Sequence, residues 1–356
     1  LYNLLHYASF FLRGQVESPP GRIIGPISMV LGTIINFIYN IVSSITPVGA
    51  LGISIIVMTV LFRTISLPLS IRQARSQMKM QDVAPEIQKI KDKYGDTTDP
   101  ELKRKMQLEQ QQVYQKHGIN PLASCLPMLL PMPIFIAMFY MMRQAFIFVG
   151  SINDIYHQLA YALSQLDNFV ELIVHHIAPP RVPAGMFPFF IGAEYLENTA
   201  ALINVLEFYD WQTIFTYMTG EASQAVYDLY FEMQNVISFA GLNLMHSPGF
   251  TWPGMLVPLL SGATTFLQSY LMQARNRNAE ASQAMMQKIM MYAMPLLMGF
   301  FSAGIAAGVG VYWIAGNIYA IVQQYFLNKH VRNKPAIVEG DIVKTSRKTE
   351  KKKGGF

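Results

Sequence analysis

At 356 residues the chain is long enough for one large domain or two ordinary ones, and 52% of it is apolar while only 14% is charged, far below the share of charge usual in soluble domains. The net charge is +5 and Cys125 is the only cysteine, which excludes an intrachain disulfide and a multi-cysteine zinc site. The seven histidines are scattered, and the adjacent pair His175 and His176 points to different sides of a helix, so no metal site and no cofactor is expected.

In chain order, residues 1–26 read as an extracytoplasmic N-terminal segment. Its first twelve residues lack a basic start and no small-residue cleavage site follows, so no cleavable signal peptide is expected. Residues 27–45 carry no charge. Thr33, Asn36, Asn40, Ser43 and Ser44 recur on one side at helical spacing, the pattern of an amphipathic helix lying in the membrane interface. The stretch is also long enough to span.

Residues 48–71 form the first of five segments long enough to cross a bilayer, which takes about 20 mostly apolar residues. The others are 121–142, 253–272, 286–303 and 306–327. Arg63 stands inside the first, in "VMTVLFRTISLPLS", where an ionised arginine costs roughly 2.5–3.5 kcal/mol on insertion scales. It precedes Arg72 by nine residues, about 13 Å along a straight helix. A side chain that deep keeps its head in a wet pocket rather than in lipid. Ten basic residues follow in the next connector, so Arg63 adds little to orientation and is expected to serve function.

That connector, 72–117, reads as a charged helical hairpin. Asp82 and Pro85 mark a helix start, Ile87, Ile90 and Tyr94 form one narrow apolar stripe, and "YGDTTDP" breaks it. Leu102, Met106 and Val113 then form a second stripe, ending at "HGINP". Residues 148–250 form a long extracytoplasmic loop with helical-looking pieces broken at "APPRVPAG", "TGE" and "HSPG". Its aromatic content suits the outer membrane surface, and no catalytic constellation stands out in it. After the third span, 273–285 is a cytoplasmic loop. The fourth and fifth spans, joined by "SAGIAAG", are expected to pair as a tight antiparallel hairpin. The tail 328–356 holds nine basic and three acidic residues without periodicity, as a disordered segment does.

Positive charge sets the sidedness. The connector 72–117, the loop through Lys288 and the tail together hold 22 of the 27 Lys and Arg, and all fall on one side of a five-span arrangement. The N-terminus is therefore expected outside and the C-terminus in the cytoplasm. The ten acidic residues from Asp154 to Glu232 leave the outer side acidic.

Taken together, "LFRTISLPLS", "RQARSQMKMQDVAPEIQKIKDKYGD", "HGINPLASCLPMLLPMPIFIAMFYMM", "LVPLLSGATTFLQSYLM", "QKIMMYAMPLLM" and "GVYWIAGNIYAIVQQYFL" resemble the YidC/Oxa/Alb family of membrane protein insertases in its bacterial form. The resemblance covers about 27–150 and 249–329. The chain lacks the large extracytoplasmic domain of Gram-negative members, has a much longer loop between the second and third spans, and has no Pro in "FFSAGIAAGVG". The resemblance implies an all-α polytopic membrane protein. Its parts are a five-span helical bundle, an interfacial amphipathic helix, a cytoplasmic helical hairpin and a hydrophilic groove open to the cytoplasm and to lipid. It places Arg63 in that groove with Thr59 one turn earlier, and Gln268, Tyr312 and Trp313 on the other walls.

The implied activity is non-enzymatic. The groove draws acidic or polar extracytoplasmic segments of nascent membrane proteins outward and releases their apolar spans into lipid. The implied site is the bacterial plasma membrane. Partners would be nascent chains, membrane lipids, the ribosome through the basic tail, and the Sec translocon and signal recognition machinery. Two other readings remain open on the residues alone: a small-anion or solute transporter using Arg63, and a membrane-assembly scaffold. No His/Asp/Ser set or phosphate loop points to an enzyme.

Overall fold

The computed structural model describes residues 21–95, 98–119, 131–143, 145–172, 203, 206, 208–273 and 288–331. Most of the N-terminal segment, the first ten residues of the expected second span with Cys125, the middle of 148–250, nearly all of the 273–285 loop and the basic tail lie outside the described residues. What is described is almost wholly helical.

Helix α1, Gly21–Ile45, buries Leu31, Ile35, Ile38 and Tyr39 at the three- and four-residue spacing of one helix face. That face packs on α2, Ala50–Ile65, and α5, Pro131–Arg143. Its far side mixes Thr33, Asn40 and Ser44 with exposed Met29, Val30, Phe37, Ile41 and Ile45. Asn36 has a structural partner, since its side-chain oxygen accepts from the Gly150 N–H at 3.1 Å. Ile24–Ile45 is also the one unbroken helix among the described residues that is long and apolar enough to cross a membrane.

The first expected span differs in shape from a single rod. Helix α2 ends at Ile65, and α3, Leu67–Tyr94, leaves it bent by 56°. The cause is Pro68, which has no N–H to donate to the Thr64 carbonyl four residues back. The charged connector therefore begins as one long helix from Leu67, so Asp82 and Pro85 do not start it. Pro85 sits inside α3, at the expense of one backbone hydrogen bond, between buried Val83 and Ile87. Helix α4, Pro100–Lys116, starts at Asp99, whose carboxylate accepts from the Glu101 N–H at 2.9 Å as an N-cap. It folds back on α3. Glu109 takes hydrogen bonds from Lys93 (2.7 Å) and Tyr94 (2.9 Å), and His117 meets Glu86 at 3.3 Å toward the other end.

The described residues of 148–250 add a layer of helices whose buried side chains join the same core as α1, α2 and α5. Helix α6, Gly150–Ser164, buries Ile152, Tyr156, Leu159 and Leu163, and α8, Ser223–Ile237, buries Val226, Tyr230, Met233 and Ile237. Between them α7, Phe208–Tyr217, supplies Trp211 and Ile214. Among the described aromatics of this stretch Tyr156, Phe169, Trp211 and Tyr230 are buried while Tyr161, Tyr217, Phe231 and Phe250 are exposed; Trp211 lies 4.7 Å from Tyr230, and Phe215 stacks on Tyr227 at 4.4 Å. Asn168 clamps the turn after α7, donating to the Tyr217 carbonyl and accepting from the Thr219 N–H. A two-residue hairpin, β1 Ser238–Phe239 with β2 Leu242–Asn243, follows α8.

The last three helices are α9 Leu256–Gln273, α10 Met294–Ala303 and α11 Ala307–Val331. A wider π-type turn, Ile289–Ala293, leads into α10 just before Pro295. α10 and α11 touch each other little; α10 packs on α9, and α11 packs on both α9 and α2, so the expected pairing of the fourth and fifth spans gives way to contacts through the third. Gly262 and Gly299 explain it. A Cβ on Gly262 would come within 3.2 Å of the Pro295 carbonyl, and one on Gly299 within 3.1 Å of the Pro258 carbonyl. The two backbones therefore approach closely.

Candidate functional site: a polar seam around Arg63

Arg63 occupies the last turn of α2, three residues before the break at Ser66. The negative end of the helix dipole favours a cation there. The side chain is half-buried and lies against Gly316 of α11, where a Cβ would sit 2.9 Å from a terminal guanidinium nitrogen. Among the described residues the guanidinium has no hydrogen bond and no carboxylate partner. Tyr312, one turn before Gly316, is within electrostatic reach of Arg63. One turn beyond, the Tyr319 hydroxyl meets Thr64 Oγ1 at 3.1 Å. Thr64 already gives its proton to the Val60 carbonyl, so Tyr319 donates. Tyr312, Gly316 and Tyr319 thus form one stripe of α11 turned toward α2.

The neighbouring stripe of α11, Trp313 and Asn317, faces α9. The Trp313 indole N–H donates to Thr265 Oγ1 at 3.0 Å, and the Asn317 amide donates to Thr264 and Thr265 at 3.1 and 2.9 Å. Thr265 donates in turn to the Ser261 carbonyl. Phe135 of α5 meets the Trp313 ring edge-on at 5.4 Å. Interhelical bonds of this kind are worth about 0.6–2 kcal/mol each in a membrane, and together they fix one wall of the seam. Gln268 lies three residues after Thr265 on α9, half-buried and with no hydrogen bond among the described residues.

Of the five residues named from sequence, Arg63 and Tyr312 are neighbours across α2 and α11, and Trp313 and Gln268 belong to the α9–α11 wall. Thr59 is fully buried, and its hydroxyl bonds the Ile55 carbonyl of its own helix at 2.6 Å, so it offers no free polar group. Sequence reasoning missed Gly316, Asn317, Thr264, Thr265 and the Thr64–Tyr319 contact. The signal for two of these was present: Asn317 follows Trp313 by four residues and Gly316 follows Tyr312 by four, which puts each pair on one helix face.

A model of the family described as "60Kd inner membrane protein" matches residues 42–334. Membrane protein insertase YidC 1 of Bacillus anthracis is 27% identical over 297 residues, covering 83% of this chain and 78% of the relative. Membrane protein insertase MisCA of Bacillus subtilis is 26% identical over 276 residues, covering 78% and 69%. Membrane protein insertase YidC of Caldanaerobacter subterraneus is 26% identical over 306 residues, covering 86% and 96%.

Proposed function

The chain belongs to the 60Kd inner membrane protein family and is a membrane protein insertase of the bacterial plasma membrane; from that premise we propose that Arg63 is its client-binding cation. The observation that carries this is a half-buried guanidinium with no partner among the described residues, held on Gly316 at the end of α2. An acidic segment of a nascent chain would take the place that no carboxylate of the described fold fills. The low-dielectric helices flanking the hydrated groove strengthen the attraction. Release of the following apolar segment into lipid is driven by hydrophobic burial.

Gln268, Tyr312 and Trp313 line the groove in this reading, while Thr59 packs beneath Arg63. The groove also bears on the spans. α9 and α11 carry Thr264, Thr265, Trp313 and Asn317 where they meet, and such polar stripes lower the apolarity of a span that lines a wet cavity. The five-span arrangement, with α1 in the interface and the α3–α4 hairpin and C-terminus in the cytoplasm, accounts for the 22 of 27 basic residues on one side. The hairpin and the basic tail are then available to the ribosome, the Sec translocon and the signal recognition machinery.

Photo-crosslinking from positions 63 and 268 to a stalled nascent chain tests the groove. Adducts with the client's polar segment at both positions are expected, and adducts only from a third probe at exposed Leu296 of α10 would contradict it.

A further inference from the structure

Helix α11 holds Gly308, Gly310 and Gly316 within its length. Glycine is the poorest helix former after proline, so each calls for a reason in its surroundings. For two of them the reason is close packing. A Cβ on Gly308 would meet Met142 Sδ at 2.8 Å and the Leu244 carbonyl at 3.0 Å, and one on Gly310 would run into Val257 of α9. Gly316 differs. It is buried, and the three heavy atoms nearest to where its Cβ would stand all belong to Arg63: Nη2 at 2.9 Å, Nε at 3.5 Å and Cζ at 3.6 Å.

Nη2 and Nε make up one edge of a guanidinium, so that edge lies against the α11 backbone. The space a side chain would fill at Gly316 is filled by a charge from another helix. A methyl group there meets the far end of a long flexible side chain, so it would move the guanidinium rather than part the helices. The two helices are also tied one residue on. Thr64 Oγ1 accepts from the Tyr319 hydroxyl at 3.1 Å and gives its own proton to the Val60 carbonyl at 2.7 Å. Tyr319 follows Gly316 by three residues, which puts both on one face of α11.

We propose that Gly316 is a positioning residue for Arg63, and that the Thr64–Tyr319 bond holds the last turn of α2 at the distance this seat requires. Together they set where in the groove the positive charge meets an acidic client segment. Selectivity for tail charge then depends on the absence of a side chain at Gly316. The proposal rests on the reading of Arg63 as the client-binding cation.

Two readouts on the full chain in proteoliposomes separate the seat from its use. The first is the rate at which phenylglyoxal, which closes across two guanidinium nitrogens, modifies Arg63, read by mass spectrometry against exposed Arg72 in the same molecule. The second is the insertion of an acidic-tailed client divided by that of the same client with its tail Asp and Glu changed to Asn and Gln, a ratio in which a general loss of activity cancels. Alanine is the better helix former, so Gly316→Ala should fold. It should raise the Arg63 rate severalfold and lower the client ratio at least about threefold, because Coulomb attraction weakens as the charge leaves the place where the client meets it. Tyr319→Phe, which removes one hydroxyl, should shift both readouts in the same directions by less. In the Arg63→Lys background Gly316→Ala should leave the ratio where Arg63→Lys alone puts it, since an ammonium has no planar edge to displace. An Arg63 rate unchanged by Gly316→Ala overturns the seat. A raised rate with the native client ratio overturns the positioning role, and if Arg63→Ala also keeps the native ratio, the fault lies in the reading of Arg63 rather than in the seat. An equal fall of the ratio in the native and Arg63→Lys backgrounds assigns Gly316 to helix packing and overturns the proposal as well.

Discussion

The layer of α6, α7 and α8 and the seam around Arg63 solve opposite problems. In the layer, Trp211, Tyr230, Met233 and Leu159 are buried, while Asp154, Asp167, Glu171, Glu221, Asp228 and Glu232 are all exposed. Polar and apolar groups are sorted as in a soluble domain. In the seam, Thr265, Asn317 and Trp313 are bonded between helices while Arg63 and Gln268 stand half-buried without partners among the described residues. A polar group left unpaired in the interior is costly. The contrast therefore separates polar groups that hold the molecule together from polar groups that the described fold leaves unpaired.

Breaking the layer should give the largest effect on stability and a smaller one on client choice. Trp211→Ala removes the ring that packs on Tyr230 and Phe215, and truncating a buried aromatic costs about 3–5 kcal/mol. Unfolding in detergent should show that loss, with the dependence on client charge unchanged among the molecules that stay folded. A Trp211→Ala protein as stable as the native one would mean the layer adds nothing to the shared core.

The seam should respond more mildly and pairwise. A double-mutant cycle of Thr265→Val and Trp313→Phe is expected to give a coupling of about 0.6–2 kcal/mol. Strict additivity in the same unfolding assay would show that the bond contributes nothing.

The smallest effect belongs to the hairpin. The hydrogen bond from Lys93, followed by that from Tyr94, holds the Glu109 carboxyl below its ordinary range, and the same Glu109 contact holds Lys93 above its own. The carboxylate's contribution is present above its unfolded value and is lost as pH falls through the depressed one. The lysine's contribution is full below the ordinary lysine value and is lost as pH rises through the raised one. Lys93 is exposed and Glu109 lies partly exposed at the surface, and such surface pairs are weak. Spin labels on α3 and α4 should therefore report a constant distance at neutral pH and slight separation in acid. Glu109→Gln should be slightly separated at every pH, and acid sensitivity that persists in it would assign the effect elsewhere.

Much of this was legible beforehand where the physics is local. The break read at "TGE" falls between α7 and α8, and Arg63 stands out because a lone charge in an apolar run is costly. The break at Ser66 was hidden because the residues on both sides are apolar, although Pro68 was its signal. Pro85 was misread as a helix start because proline favours a first turn but is also tolerated deeper at a cost. The seat on Gly316 and the Thr64–Tyr319 bond, 255 residues apart, depend on two distant helices meeting, which periodicity does not encode. The packing of Trp211 on Tyr230 and Phe215 was hidden for the same reason: composition reports the number of aromatics, and only the fold reports their partners.

The central claim is that Arg63 acts by charge on the client's polar tail. The direct measurement is insertion of one client whose tail Asp and Glu are stepped to Asn and Gln, by the native protein and by Arg63→Lys, Arg63→Ala and Arg63→Glu. Lysine keeps the charge but not the bidentate fork, so Arg63→Lys should retain much of the activity. Arg63→Ala should fail increasingly as tail charge rises, and Arg63→Glu should be worst on the most acidic tail because like charges repel strongly in a partly dry site. If Arg63→Ala loses the same fraction of activity at every tail charge, Arg63 is a structural residue and the account is wrong.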